Sequence, residues 1–223
     1  MELITERSDK PITEQNEQPI NELSKEPINE QSKEPINEQS KEPITEQSNV
    51  LSWDIDISSA AEIAAILYAC DQEIFRGWRN STGVNDGHLH RKMAKVAQKI
   101  AEVIQKPNGC VVFSGCGTSG RLAFLTTRTF NRYLKSLGKA ECFQYLIAGG
   151  DRALFKSIEL AEDDPVAGAE ALKEVTRGRT PVVFVGITCG MSAPFVAGQL
   201  DYCLSRLDVF LPVLIGFNYT YQA

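Results

Sequence analysis

From Leu51 to Asn218 the apolar positions change period repeatedly, from helical spacing to unbroken short runs and back. Ile57–Phe75 opens with Ser59-x-x-Glu62, the reciprocal pattern of a capping box, and continues with Ile63, Ile66, Leu67 and Ile74 on one helical face. A polar, glycine-bearing loop follows, RGWRNSTGVNDG. Leu89, Met93, Val96, Ile100, Val103 and Ile104 then share one side of a second helix, from about His88 to Lys106, which Pro107-Asn108-Gly109 stops. CVVFS (Cys110–Ser114) predicts the first strand, and a helix over Thr118–Leu137 is expected to end at Gly138. FQYLIAGG (Phe143–Gly150) predicts the second strand. Two short helices are expected near 152–160 and 165–175, the latter with Pro165 in its first turn. PVVFVGI (Pro181–Ile187), a helix over Ala193–Arg206, and VFLPVLIGF (Val209–Phe217) complete the pattern. Strands that are apolar throughout and separated by helices belong to a parallel sheet covered on both faces, a doubly wound α/β domain. The pattern calls for a further covering helix after Asn218, so the expectation is a C-terminally truncated domain or a layer supplied by another chain.

The first fifty residues follow another rule. From Pro11 the chain repeats with a period of eight: PITEQNEQ, PINELSKE, PINEQSKE, PINEQSKE, PITEQSNV. One isoleucine per unit among Glu, Gln, Asn, Ser and Lys buries too little apolar surface to offset the entropy of ordering the backbone, and the period is too short for a solenoid unit. The expected organisation is a disordered repeat tail over 1–50, a helical segment over 51–109 and an α/β domain over 110–223.

Charge sharpens that division. Residues 1–50 hold twelve of the 29 acidic and five of the 23 basic residues, so the tail is net −7 and the remainder net +1. A near-neutral domain with no basic stripe makes nucleic acid an unsuitable partner. The six cysteines lack C-x-x-C pairs, and several fall in apolar runs, as expected of reduced thiols in a cytoplasmic or nuclear protein. No apolar run approaches the ~20 residues that span a bilayer, and MELITERSDK has no signal-like apolar core. His88 and His90 lack a partnering Cys or acid cluster, so neither a metal nor a cofactor is expected.

Two turns carry the candidate chemistry. Gly115-Cys116-Gly117-Thr118-Ser119-Gly120-Arg121 follows the first strand, and Gly186-Ile187-Thr188-Cys189-Gly190-Met191-Ser192-Ala193-Pro194 follows the third. Ligands of open parallel sheets bind beyond the carboxyl ends of the strands. Each turn places glycine and hydroxyl residues at a helix start, where unpaired N–H groups and the helix dipole favour an anion. Thr118 and Ser119 either cap their helix or, with Ser192, donate to that anion. The G-x-G-x-x-G here lacks the acid about 20 residues on that would hold a ribose, since the first acid beyond the second strand is Asp151, and no G-K-[ST] follows. A phosphate cradle is the expectation. Arg121 pairs either with that phosphate or with a neighbouring carboxylate.

GCGTSGRLAFL, LIAGGDRALFKSIELAEDD, GITCGMSAPFVAGQLDYC and FLPVLIGFN together resemble the first sugar isomerase (SIS) domain, of flavodoxin-like fold, of the glucokinase regulatory proteins. They are similar, less closely, to bacterial N-acetylmuramic acid 6-phosphate etherases. The segment ITEQSNVLSWDID (Ile44–Asp56) resembles the stretch before the domain in both families. The octapeptides therefore read as further copies of that stretch.

The resemblance implies a ligand such as fructose 6-phosphate or fructose 1-phosphate. Phosphate-binding positions would be Gly117, Thr118, Ser119, Thr188, Cys189, Gly190 and Ser192, and Glu162 would meet the sugar, with Glu159 a weaker candidate. Glu162 and its neighbours in ELAEDDP could equally be an acidic flank for the next helix. The resemblance also implies a glucokinase- or hexokinase-type partner, met through regions absent from this chain. In the etherases a second acid aligns with Thr129, whose hydroxyl is neither an acid nor a base near neutral pH. The expectation is a non-catalytic sugar-phosphate-binding regulator, with a lyase acting on an amino sugar phosphate as the alternative.

Overall fold

The computed structural model describes residues 46–79, 81–158 and 160–218. By its internal contacts the chain divides into two units, Met1–Gln39 and Ser40–Ala223. The first unit, and with it the expected disorder of the repeat tail before residue 46, lies outside the described residues, as does Glu159.

Short 3-10 turns at Val50–Ser52 and Ile55–Ile57 lead into α1 (Ala60–Arg76). The predicted capping box is present: Ser59 accepts from the Glu62 N–H, and Glu62 accepts from the Ser59 N–H at 2.7 Å. None of the residues of α1 is buried. Its main neighbours among the described residues are the two 3-10 turns and a hairpin, β1 (Gly77–Trp78) and β2 (Ser81–Thr82). That hairpin occupies the loop expected to be irregular.

α2 (Gly87–Val103) follows, capped by Asp86, whose carboxylate accepts from the His88 and Leu89 N–H groups. Then come β3 (Cys110–Gly115), α3 (Gly117–Ser136), β4 (Phe143–Ile147), α4 (Pro165–Val175), β5 (Val182–Ile187), α5 (Pro194–Leu204) and β6 (Phe210–Ile215). The second expected strand stops at Ile147, because Gly149 and Gly150 turn the chain with φ of 83° and 67°. The helix expected near 152–160 is a single 3-10 turn, Asp151–Leu154.

The four long strands form one parallel sheet in the order β4-β3-β5-β6. Alternate side chains of its central strands serve two cores. Val111, Val183 and Val185 pack with Val103 of α2 and Leu134 of α3, whereas Cys110, Val112, Val182 and Phe184 pack with Leu172 of α4 and Cys203 of α5. Both faces are thus covered, as expected of a doubly wound domain.

The two edges differ. At β4, Asn131 of α3 holds the Phe143 backbone through both amide groups, at 2.8 and 3.0 Å, and Thr127 donates to the Gln144 carbonyl. At β6, Leu211, Leu214 and Ile215 remain 38–46% exposed, the uncovered last strand that the pattern predicts. Among the described residues no helix is long and apolar enough to cross a membrane.

Leu172 is fully buried and joins α4 to the sheet. Leu172→Ala is expected to lower stability by about 2–5 kcal/mol, read as a lower midpoint in denaturant unfolding with an unchanged slope.

Candidate functional site

Register decides where the two turns lie. Gly115 of β3 pairs with Ile187 of β5 on one side and Ile147 of β4 on the other, and Ile187 pairs with Ile215 of β6. These four residues form a row at the carboxyl edge, and both glycine-and-hydroxyl turns leave from its middle. A methyl group on Gly115 would sit 2.8 Å from both the Ile187 carbonyl oxygen and Ser119 Cβ, so the first turn of α3 rests directly on the end of β5.

In the first turn the N-cap of α3 is Cys116, with φ −107° and ψ 152° and no capping side chain. Gly117, Thr118 and Ser119 are therefore the first residues of the helix, and the alternative that a hydroxyl caps it is excluded. The first amide to find a helical carbonyl is that of Gly120, bonded to Cys116 at 3.2 Å. The three before it, and the hydroxyls of Thr118 and Ser119, find no acceptor among the described residues. Gly117 has φ +50° and open space where a side chain would stand.

The second turn is held from behind. The Thr188 N–H donates to Ile215, the Phe217 N–H to the Cys189 carbonyl at 2.9 Å, and the Asn218 side-chain amide to the Gly190 carbonyl at 2.7 Å. In a trans peptide the N–H points opposite the carbonyl, so anchoring the Cys189 carbonyl turns the Gly190 N–H away from that anchor. A Met191 N–H bond to the Thr188 carbonyl closes the turn. The left-handed residue is Met191, at φ 56°, and not the neighbouring glycine. α5 then starts at Pro194 behind Ala193, again without a capping side chain. Thr188 is buried, whereas Cys189 and Ser192 are exposed.

A third segment reaches the same place. Ala161, in the 3-10 turn Ala161–Asp163, packs with Cys116 and Ala193, the N-caps of α3 and α5, around buried Ala148, Phe195 and Val196. Burial, and then the charges of Glu162 and Asp163, push the Cys116 thiol up to about 11. Both carboxylates thus lie within electrostatic reach of the first turn. The helix-flank role considered for Glu162 falls to Asp164, which caps α4 by accepting from the Ala167 N–H at 2.8 Å.

All eight candidates, Gly117, Thr118, Ser119, Glu162, Thr188, Cys189, Gly190 and Ser192, therefore belong to segments that leave one edge of the sheet. Arg121 lies outside the candidate set: its Nε donates to the Leu154 carbonyl at 3.1 Å, tying α3 to the 3-10 turn after β4, and among the described residues it forms no ion pair with a carboxylate. Thr129 is exposed, bonds its own helix at Leu125, and lies about 18 Å along α3 from Gly117 at the rise of an α-helix. Sequence reasoning missed Asn218 as the clamp on the second turn. Its signal was a residue with a short amide side chain directly after a strand, of the kind that bonds nearby backbone in turns. Among the described residues no cluster of His, Cys, Asp and Glu could hold a metal ion.

Comparison with known proteins gives this edge its relatives. The family model described as the glucokinase regulatory protein N-terminal SIS domain matches residues 93–204, which include both turns and Glu162. The chain is 45% identical over 180 residues to a glucokinase regulatory protein of Xenopus laevis and 48% identical over 176 residues to that of Homo sapiens. Each match covers 77% of this chain and 28% of the relative, so the chain spans little more than a quarter of their length. It is also 32% identical over 179 residues to an N-acetylmuramic acid 6-phosphate etherase of Jannaschia sp. (strain CCS1), covering 75% of this chain and 49% of that enzyme. The parallel sheet, its helices on both faces and the matched span agree: the chain belongs to the glucokinase regulatory protein family, through its N-terminal SIS domain.

Proposed function

We propose that the domain binds the phosphoryl group of a sugar phosphate, fructose 6-phosphate or fructose 1-phosphate, between its two turns and acts as a regulator, not a catalyst. The observation that carries this reading is the pairing of two helix N-termini without side-chain caps at neighbouring strand ends. The unpaired amides of Gly117, Thr118 and Ser119 in α3 and of Phe195 in α5, whose Pro194 has no N–H and whose Val196 N–H bonds Ala193, and hydroxyls without acceptors among the described residues at Thr118, Ser119 and Ser192, suit an oxyanion with several acceptor lobes. Gly117 leaves room for its approach, and Thr188, Cys189 and Gly190 shape the far wall. The Glu162 carboxylate sits where a phosphate would be repelled but a sugar hydroxyl can donate, which sets the orientation of the ligand.

The relatives' name supplies the partner class: bound sugar phosphate would modulate contact with a glucokinase- or hexokinase-type enzyme, through parts of the protein outside this chain. The lyase reading draws on the etherase likeness and on Glu162. Eliminating lactate requires one group to take a proton and another to protonate the leaving oxygen. Thr129 supplies neither and is remote from Glu162's edge, so the regulator is the reading adopted.

Either fructose phosphate is expected to raise the melting temperature of the full chain, by the equivalent of about 2.7 kcal/mol at a hundredfold excess over Kd. Ser119→Ala should weaken binding about tenfold or more, the loss of one hydrogen bond to a charged group, without lowering the melting temperature of the free protein. A flat response from folded protein would remove the reading. Incubation with N-acetylmuramic acid 6-phosphate is expected to release no lactate; turnover would restore the lyase.

Thiol labelling gives an independent check. Cys189 is exposed and should alkylate at pH 8, with bound sugar phosphate slowing it. Cys116, at about 11, holds only about a thousandth of its population as thiolate at that pH and should label appreciably only as the pH approaches 11.

A further inference from the structure

The described chain begins inside the fifth octapeptide, and that copy is seated on the domain. Gln47 accepts from the Arg79 guanidinium, and the Asn49 amide donates to the Glu73 carboxylate at 2.5 Å while its oxygen accepts from the Leu51 N–H at 2.9 Å. Arg79 is itself placed by the hairpin, its guanidinium 4.3 Å from the Trp78 ring centroid. Glu73 on α1 and Arg79 after β1 thus form an acid-and-base seat that meets positions five and seven of the repeat. The sugar-phosphate edge uses neither residue.

The other copies carry graded versions of the same pair. PINEQSKE at 27–34 offers Gln31 and Lys33, and PINEQSKE at 35–42 offers Gln39 and Lys41. Both keep the glutamine and replace the asparagine with a lysine, whose ammonium has the charge opposite to the Glu73 carboxylate and could form a charge-assisted bond with it. PINELSKE has Leu23 where the glutamine stands, and PITEQNEQ has Glu17 at position seven, a charge of the same sign as Glu73. The chain carries five copies of the motif, and the seat's own copy is 43–50, so the two copies at 27–34 and 35–42 that keep the pair exceed what one seat can hold. Two matching copies in tandem raise the local concentration of the motif.

We propose that the Glu73–Arg79 seat docks the repeats 27–34 and 35–42 of a second copy of this chain, in exchange with residues 43–50. The tail is then a linker between molecules, selective through Gln at position five and Lys at position seven.

The test mixes full-length chain at natural abundance with full-length chain labelled with heavy nitrogen, couples neighbouring ammonium and carboxylate groups with a carbodiimide, and identifies the joined peptides by mass spectrometry. Isotope-mixed Lys33–Glu73 and Lys41–Glu73 products are expected. Asn49→Ala, which removes the resident copy's bond to Glu73 and leaves its Gln47–Arg79 bond, should raise them about two- to tenfold, and Arg79→Ala should lower them by a similar factor, the worth of one hydrogen bond. The Lys99–Glu102 ion pair, 2.7 Å apart within one chain, provides the coupling control, and an unchanged melting temperature reports that each variant is folded. The proposal is overturned if that control forms while the Glu73 products are absent, occur only within one isotope, or ignore the Arg79 substitution.

Discussion

The structure depends on the parallel pairing of β3 with β5. Because these strands are neighbours in space but not in sequence, the chain leaves Gly115 for one face of the sheet and Ile187 for the other, and the two departures stand side by side. A crevice forms at such a reversal without any residue being devoted to it. What the sequence adds is the lack of side-chain caps. Most helices gain about 1 kcal/mol from a capping side chain, and here α1, α2 and α4 have one. α3 and α5, the two that start at the crevice, have none. Stability forgone at those two helix starts leaves unsatisfied donors, three amides in α3 and that of Phe195 in α5, where an anion can supply the missing acceptors.

The acids beside those donors shape what the crevice suits. Asp164 is engaged as a helix cap, whereas Glu162 and Asp163 raise the Cys116 thiol through space and so act on the same small volume. A site with only donors would take any phosphate. One with a carboxylate at its rim favours a phosphate carried on a polyol, whose hydroxyls donate to the acid while the phosphoryl oxygens accept from the amides. The strained backbone supports the same placement: Leu160 and Met191, both left-handed without being glycine, flank Glu162 and Ser192. Such conformations persist where surrounding bonds hold them, as Asn218 and Phe217 hold the turn at Met191.

Much of this was legible in the sequence because it rests on local rules. The Ser59–Glu62 box, the apolar runs of β3 and β5, Pro165 opening α4 and the glycine-and-hydroxyl turns each state their structure within a few residues. What escaped depends on longer range. The hairpin at Trp78 has strands of two residues, too short to show a period. The helical face of α1 reads as a core face, yet none of its residues is buried, since burial depends on what packs there. Arg121 bonds a carbonyl 33 positions along the chain, a partner that no local pattern announces. Nor could spacing assign the positive φ of the second turn to Met191 in place of Gly190, because the clamp from Asn218 comes from the end of another strand.

The central claim is that both turns grip one phosphoryl group. Amide nitrogen and proton resonances of Gly117–Ser119 and Cys189–Ser192, followed during titration with fructose 6-phosphate, test it most directly. The account predicts that both sets move together, saturating on a single isotherm. Movement of one turn alone, or of the two with different midpoints, would contradict it.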